Sequence, residues 1–348
     1  MRNSAALSLF LATLLVAPAG AVDRPPQFVA LAFDNCTELE RWRELADFAA
    51  EMNKDGDKLR FTFFVSGINY LANAKRDAYE GPHQRRGTSN ISFGGTLEDV
   101  EKRVSLINDL HARGHEIASH AVGHFDGRAW SGADWQKEFT SYNDLVDNVA
   151  RRNGLAEAVK FGFPASSVIG FRAPYLSTSP GLYQTLHQNG FRYDTSRTSE
   201  ASHWPEKKEG LWRFNLAGLQ LHRSRRGTLS MDYNFFIVQA SGIDSSAKRA
   251  QHRDEMFETY VDYFRANYAG NRAPLHIGHH FTNYHGGAYN EALKAFARAV
   301  CGLPEVRCTT YAALADFMDK LDGPTLDAYR KGDFERSKAP SIELPFGR

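Results

Sequence analysis

The residues of this chain that could do chemistry gather at a few short positions. His120 and His124 are four residues apart in Gly114-His115-Glu116-Ile117-Ala118-Ser119-His120-Ala121-Val122-Gly123-His124. That spacing lets one turn of chain aim two imidazoles at a single cation. A lone pair of histidines is weak evidence of a metal, because structural histidines are common. Three further groups strengthen it. Asp34-Asn35 ends an apolar run and offers a carboxylate beside an amide oxygen. Arg172 opens Arg172-Ala173-Pro174-Tyr175 after another apolar stretch, and Leu275-His276-Ile277-Gly278-His279-His280 brings a late set of histidines. An acid, two metal-competent imidazoles, an arginine and a further histidine, each just past an apolar run, are hard to attribute to packing.

The runs that carry these residues read as strands. Phe28–Phe33 and Phe61–Val65 are continuously apolar, as buried parallel strands are. Further strands are expected at His115–Ser119, Val168–Phe171, Leu229–Asp232 and Leu275–His279. Between them lie helical patterns. Val100, Val104, Ile107 and Leu110 share one face of a helix that Gly114 can end, and Met256, Tyr260 and Phe264 share a face of another, Arg253 to Tyr268. Later helices are expected at Tyr289–Val300 and Tyr311–Leu321. Alternation of strand and helix predicts an α/β fold with a parallel sheet or barrel inside and helices outside, and places the site at the carboxyl ends of the strands. No internal repeat or interdomain linker is visible. Residues 22–322 read as a single domain, and 323–348, rich in Pro and charge, as a surface or loose tail.

Composition narrows the class. The 348 residues carry 42 Lys+Arg against 41 Asp+Glu, a net charge of +1, with 42% hydrophobic and 12% aromatic residues. That is enough apolar material for a sizeable core. The chain has no dense basic block of the kind that phosphate neutralisation requires, which argues against a nucleic-acid partner. Residues 1–21 carry one Arg, an apolar stretch from Ala5 to Ala17 and then Ala19-Gly20-Ala21, the pattern of a cleaved signal peptide. The mature chain is expected to begin at Val22, exported to the periplasm or beyond, with no membrane-spanning run after it. In an oxidising compartment Cys301 and Cys308 are expected to close a short disulfide loop, leaving Cys36 as a buried structural thiol or, less simply, a thiol ligand or nucleophile.

In the order and content of its motifs, the sequence resembles the polysaccharide deacetylase family, the NodB-homology carbohydrate esterases, over about Pro25 to Leu321. The family's T-F-D-D stands here as Ala32-Phe33-Asp34-Asn35, its H-[ST]-x-x-H as His120-Ala121-Val122-Gly123-His124, and its R-x-P-Y as Arg172-Ala173-Pro174-Tyr175. Gly114-His115-Glu116-Ile117-Ala118 and Asn271-Arg272-Ala273-Pro274-Leu275 are similar to arthropod-type chitin deacetylases. The resemblance implies a distorted (β/α) barrel with an incomplete strand set and hydrolysis of N-acetyl groups from an N-acetylglucosamine-containing glycan such as chitin, chitooligosaccharide or peptidoglycan.

Carried over by motif, the resemblance implies Asp34 as the base that takes a proton from the attacking water, and His120, His124 and the residue at 35 as ligands of a divalent metal, most often zinc. Arg172 would pair with Asp34, and the backbone N–H of Tyr175 would help to hold an oxyanion. The general acid would be a histidine at the last core strand: His280 by the arthropod-type spacing, with His276 and His279 as alternatives. Asp232 has the place in the order of the aspartate that tunes it, with Asp194 the other candidate or a brace for its own loop. Trp204 and Trp212 are open between sugar stacking and core packing. Residues 72–96 and 196–210 read as the loops that set specificity. Two positions depart from the family. Asn35 replaces the aspartate of the metal triad, which implies weaker metal binding, and Ala121 replaces a hydroxyl residue. A carbohydrate-binding member of the same fold with weak or lost turnover is the rival reading.

Overall fold

The computed structural model describes residues 22–35 and 37–346. The expected signal segment and Cys36 lie outside the described residues. The first apolar run becomes β1 (Gln27–Asp34), in which all eight residues are buried because the strand has neighbours on both faces. After it come α1 (Leu39–Met52), β2 (Phe61–Val65), α2 (Leu97–Ala112), β3 (Glu116–Ser119), α3 (Gly132–Asp147), α4 (Val149–Asn153), β4 (Gly170–Phe171), α5 (Pro180–Gln188) and β5 (Tyr193–Asp194). The second half runs β6 (Thr198–Glu200), β7 (Glu206–Lys208), β8 (Leu211–Arg213), β9 (Leu216–Gln220), β10 (Gly227–Leu229), α6 (Asp232–Ala240), α7 (Arg249–Ala269), β11 (Leu275–His280), α8 (Tyr284–Val300), β12 (Val306–Cys308), α9 (Tyr311–Met318) and α10 (Gly323–Lys331).

Nine strands form one sheet in the order β11-β1-β2-β3-β4-β5-β8-β7, with β12 paired to β1 off this path. All its pairs are parallel except β7 with β8. The end strands β11 and β7 do not pair with each other, so the sheet curls into an incomplete barrel, as expected. Beside β11 sits a small sheet of β10-β9-β6, joined to it through the Gly278 N–H donating to the Ser230 carbonyl at 2.9 Å.

The two-residue alternation of β1 divides the core. Val29, Leu31 and Phe33 face the helices, in a large cluster with Trp42, Leu45, Val104, Ile107 and Leu110. Phe28, Ala30 and Ala32 face the barrel interior, with Phe64, Tyr193, Trp212, Phe214 and Tyr311. The expected face of α2 is buried, as are Met256, Tyr260 and Phe264 on α7. Thr96 and Ser131 cap α2 and α3 in reciprocal boxes with Asp99 and Asp134, satisfying the first free amides of each helix. Cys301 and Cys308 are joined in a disulfide with Cα atoms 5.5 Å apart.

Several expectations need correction. The strand expected at Leu229–Asp232 ends at Leu229, and Asp232 begins helix α6 instead. The segments at 72–96 and 196–210 are not plain loops: the first contains a short helix at Asn73–Ala78, and the second holds β6 and β7. Nor is the chain after Gly323 a loose tail. It forms α10, buries Tyr329 and Phe334 beside Trp204, and brings the Phe346 ring under the Arg253 guanidinium at 3.7 Å. Apolar side chains among the prolines and charges are what anchor it.

Candidate active site

The parallel register of β1 and β11 builds the centre of the site. Ala30 lies opposite His276, Ala32 opposite Gly278, and Asp34 opposite His280. Partners in such a register share a face, and this face is the barrel interior. Asp34 and His280 therefore emerge side by side at the carboxyl end, while Phe33 and His279 point together toward the helices, their rings 6.0 Å apart. Of the three late histidines, only His280 lines the cavity. His276 is stacked in the interior between Phe214 and Tyr311, and His279 is fully buried with Nε2 2.9 Å from the Tyr260 hydroxyl. Burial drives the pKa of His276 down to about 3 and that of His279 to about 4, so neither carries a proton to give at neutral pH.

Asp34, His120, His124, Ala173, Tyr175, Leu176, Leu229, Met231, Tyr233, Asn234 and His280 line one cavity of about 510 Å³. Asp34 is 2% exposed, and its Oδ1 accepts from Arg172 Nη1 at 2.6 Å. Arg172 is fully buried, donates Nε–H to Thr195 Oγ1 at 2.8 Å, and lies 4.2 Å over the Phe64 ring. Gly278 makes room for it, since a Cβ there would come within 3.1 Å of Nη1 and 2.8 Å of the Met231 methyl.

The arginine also orients a ligand candidate through its backbone. Its carbonyl lies 2.7 Å from His120 Nδ1, so that nitrogen holds the proton and Nε2 keeps its lone pair. The His120 and His124 rings are 5.0 Å apart, and Nδ1 of His124 is buried with no hydrogen-bond partner among the described residues. Burial lowers their pKa values to about 3 and about 4, which keeps both imidazoles neutral. Two neutral imidazoles with unused nitrogens on one cavity suit a divalent cation such as zinc. Position 35 does not complete the set as expected. Asn35 adopts φ +49°, its Oδ1 accepts from the Ser66 N–H at 2.9 Å, and it does not line the cavity.

On the opposite wall His280 is 29% exposed and Asp232 is buried, with Nδ1 of the histidine 2.7 Å from Oδ1 of the aspartate. The other carboxylate oxygen accepts the backbone N–H of His280 at 2.9 Å. Desolvation alone would lower the pKa of His280, but the charge and hydrogen bond of Asp232, with Asp34 beyond, outweigh it and raise it above the ordinary value. The same pairing outweighs burial at Asp232 and holds its carboxyl below the usual range.

Tyr175 and Leu176 both lie in the left-handed region, at φ +57° and +55°. This lifts the Tyr175 ring to 58% exposure, edge-on to His124 at 4.8 Å, and leaves its N–H without a partner among the described residues. Asp194 is not near His280. It accepts the Ser196 hydroxyl at 2.6 Å, and Ser196 Oγ accepts the Ala173 N–H at 2.8 Å, so it braces the Arg172 loop. Trp204 and Trp212 are core residues with their indole N–H groups on Asn271 O and Asp319 Oδ1. Leu176, Leu229, Met231, Tyr233 and Asn234 also line the cavity but were not singled out in the sequence. Met231 and Tyr233, which flank Asp232, and Leu176, which follows Tyr175, had a local signal in that adjacency.

Known proteins resemble this chain in sequence and in fold. The polysaccharide deacetylase family model matches residues 21–193. Chitin deacetylase 1 of Bombyx mori is 25% identical over 187 residues, 51% of this chain but only 26% of that protein's length. Chitin deacetylase 8 of Bombyx mori is 25% identical over 296 residues, 77% of this chain and 71% of that one. A Mycobacterium smegmatis crystal structure described as a polysaccharide deacetylase shares the fold with a TM-score of 0.52 at 16% identity, covering 94% of this chain and 99% of its own. With the motif order, the curled sheet and the matched family model all in agreement, the chain belongs to the polysaccharide deacetylase family.

Proposed function

We propose that the protein removes N-acetyl groups from an N-acetylglucosamine-containing polysaccharide, with chitin, chitooligosaccharide and peptidoglycan the substrates of this class, and that it does so with a divalent metal, most simply zinc, outside the cytoplasm. The observation that carries this reading is the register of β1 and β11, which sets Asp34 beside His280 on one cavity, each with its own charged partner.

In the reaction an acetamide C–N bond breaks and water adds to the carbonyl carbon. Asp34, held in place by Arg172, accepts the proton of the attacking water. The N–H of Tyr175 donates to the oxygen that gains negative charge, a type of contact worth roughly 3 kcal/mol in the transition state. His280, kept protonated by Asp232, gives its Nε2 proton to the departing amine, so that acetate and the free amino sugar are released. A cation held by His120 and His124 would supply Lewis acidity at the acetamide carbonyl and make water easier to ionise. The disulfide supports an oxidising compartment, and among the described residues no helix is long and apolar enough to cross a membrane.

Acetate release from N-acetylglucosamine oligomers, with and without added zinc, tests the proposal. Wild type should release acetate and Asp34→Asn should not. The rival reading draws on Asn35, whose amide oxygen is taken by Ser66. Oligomer binding without acetate release at saturating zinc would favour it.

A further inference from the structure

The two histidines are delivered by a turn that its own sequence does not favour. Ala121 and His124 have φ of +58° and +55°, in the left-handed region that non-glycine residues keep only when their surroundings impose it. The carbonyls of this turn are held from the side of the β2 loop: Gly67 N–H donates to Ala121 O at 2.8 Å, and Asn90 N–H to Gly123 O at 3.0 Å. The Ala121 amide donates to Ser119 Oγ at 3.3 Å, and the next two amides are held by one side chain. Glu138, fully buried on α3, accepts the N–H groups of Val122 and Gly123 on the same oxygen, Oε1, each at 2.9 Å. The Tyr79 hydroxyl, itself buried, donates to the carboxylate at 2.9 Å from Oε2. No Lys or Arg of the described residues forms an ion pair with it. Space is equally determined, since a Cβ on Gly123 would meet the Phe125 ring at 2.4 Å and the Tyr79 oxygen at 2.5 Å.

A buried carboxylate with no cation is costly, and a packing role alone would be met by an apolar side chain. What Glu138 does that an apolar residue cannot is to fix the amides of Val122 and Gly123, between His120 and His124. We propose that Glu138, steadied by Tyr79, is a positioning residue that sets the aim of the two imidazoles and so their affinity for a cation. This rests on the reading of His120 and His124 as the cation site. Groups that orient ligands in this way typically change metal affinity by 10- to 100-fold when removed.

The test is zinc titration into metal-free protein, with visible absorption of the cobalt-substituted protein as a reading of ligand geometry, and thermal melts to check folding. Glu138→Leu should weaken zinc ~10- to 100-fold and alter the cobalt spectrum. Glu138→Gln, which keeps an acceptor oxygen for both amides, should stay close to wild type. Tyr79→Phe, which leaves the carboxylate but removes its steadying donor, should weaken zinc by less than Glu138→Leu and decides the matter if the latter does not fold. Folded Glu138→Leu or Tyr79→Phe protein with wild-type zinc affinity and cobalt spectrum overturns the proposal, as does a Gln variant as weak as Leu. His120→Ala separates the two levels: if it leaves zinc binding intact, the cation site itself was misassigned, whereas its loss beside an unaffected Glu138→Leu refutes only the positioning role.

Discussion

Replacing Asp232 by Asn removes one charge from the His280 pair and little else. The carboxylate now accepts the backbone N–H of His280, the N–H of Tyr233 at 2.7 Å, and His280 Nδ1. Asn keeps one acceptor oxygen, so one of these contacts is lost, at a cost of ~1–3 kcal/mol in stability, which a well-packed domain should survive. The chemical effect is larger. Unit charges ~4 Å apart attract by about 4 kcal/mol at an effective dielectric of ~20, which corresponds to roughly a thousandfold in the protonation equilibrium. Burial lowers the pKa of His280, and Asp232, helped by Asp34, outweighs it and raises the pKa above the ordinary value, so in the variant burial is opposed only by the weaker pull of Asp34 and the proton is lost at lower pH. The alkaline limb of kcat/KM should move toward acid. The wild-type to variant ratio should then rise from small values near pH 5 to ~10²–10³ at pH 8, within the range of a positioned general acid. The assay is acetate release across pH 5–8 at saturating zinc, with His279→Ala as a control that should keep most of the rate because that ring faces Tyr260. A ratio that does not change with pH would refute the argument, since it would mean that Asp232 shapes the site without setting a proton.

Three further expectations follow from the geometry. His276 is stacked between Phe214 and Tyr311 with both ring nitrogens unpartnered, and its pKa is pushed down to about 3; below about pH 6.5 the unfolded chain takes up a proton there that the native state refuses, so wild type loses stability as pH falls toward 3. The stability of His276→Phe relative to wild type should accordingly improve by up to ~1.4 kcal/mol per pH unit on acidification, and urea denaturation at pH 7 and 5 that shows a constant difference would count against it. Cys301→Ser should cost ~2.5 kcal/mol by the loop-closure rule for so short a loop, read as a lower thermal midpoint that matches reduced wild type. Asn35→Asp should tighten zinc by less than a direct ligand would, because the Ser66 N–H holds the side chain off the cavity and the added negative charge acts only from beyond Asp34; equal dissociation constants would place residue 35 outside the field of the ion.

Much of the site was legible because chemistry and strand ends coincide in a parallel sheet. Asp34, His120, Arg172 and His280 each follow an apolar run, and those runs became β1, β3, β4 and β11. His280 was favoured among the late histidines by its spacing after Arg272-Ala273-Pro274-Leu275 under the resemblance, whereas alternation along β11 separates it from His279 but not from His276. With Phe28, Ala30 and Ala32 inward on β1, and His280 opposite Asp34, every second residue of β11 must share the interior. Asp232 was found by order but given the wrong element. Leu229-Ser230-Met231 reads as a strand, but β10 ends at Leu229, Met231 keeps only a single bridge to Gly278, and the carboxylate sits in the first turn of α6, where the helix dipole favours negative charge. What local sequence could not show is long-range satisfaction of polar groups. Nothing around Asn35 announces that Ser66, 31 residues away, takes its oxygen. Likewise Glu138 reads as an ordinary helix residue until its turn partners, 15 and 16 residues earlier, are brought against it.

The buried pair of Asp34 and Arg172 shows why these polar groups are there. Taking a carboxylate and a guanidinium out of water costs several kcal/mol per ion, and an apolar pair of the same volume would often leave a protein as stable or more so. Fold stability therefore does not explain a pair at 2% and 0% exposure. Its geometry does. The guanidinium is fixed by Thr195 and Phe64, and through the same residue's carbonyl it fixes the tautomer of His120. On the proposed reading, one arginine thus fixes both the position of the Asp34 carboxylate and the free nitrogen of His120 before substrate arrives. Catalytic groups set in this way need no reorganisation when charge develops. Asp194 and Ser196 extend the same logic one step outward, because they hold the Ala173 amide and with it the loop that presents the Tyr175 N–H.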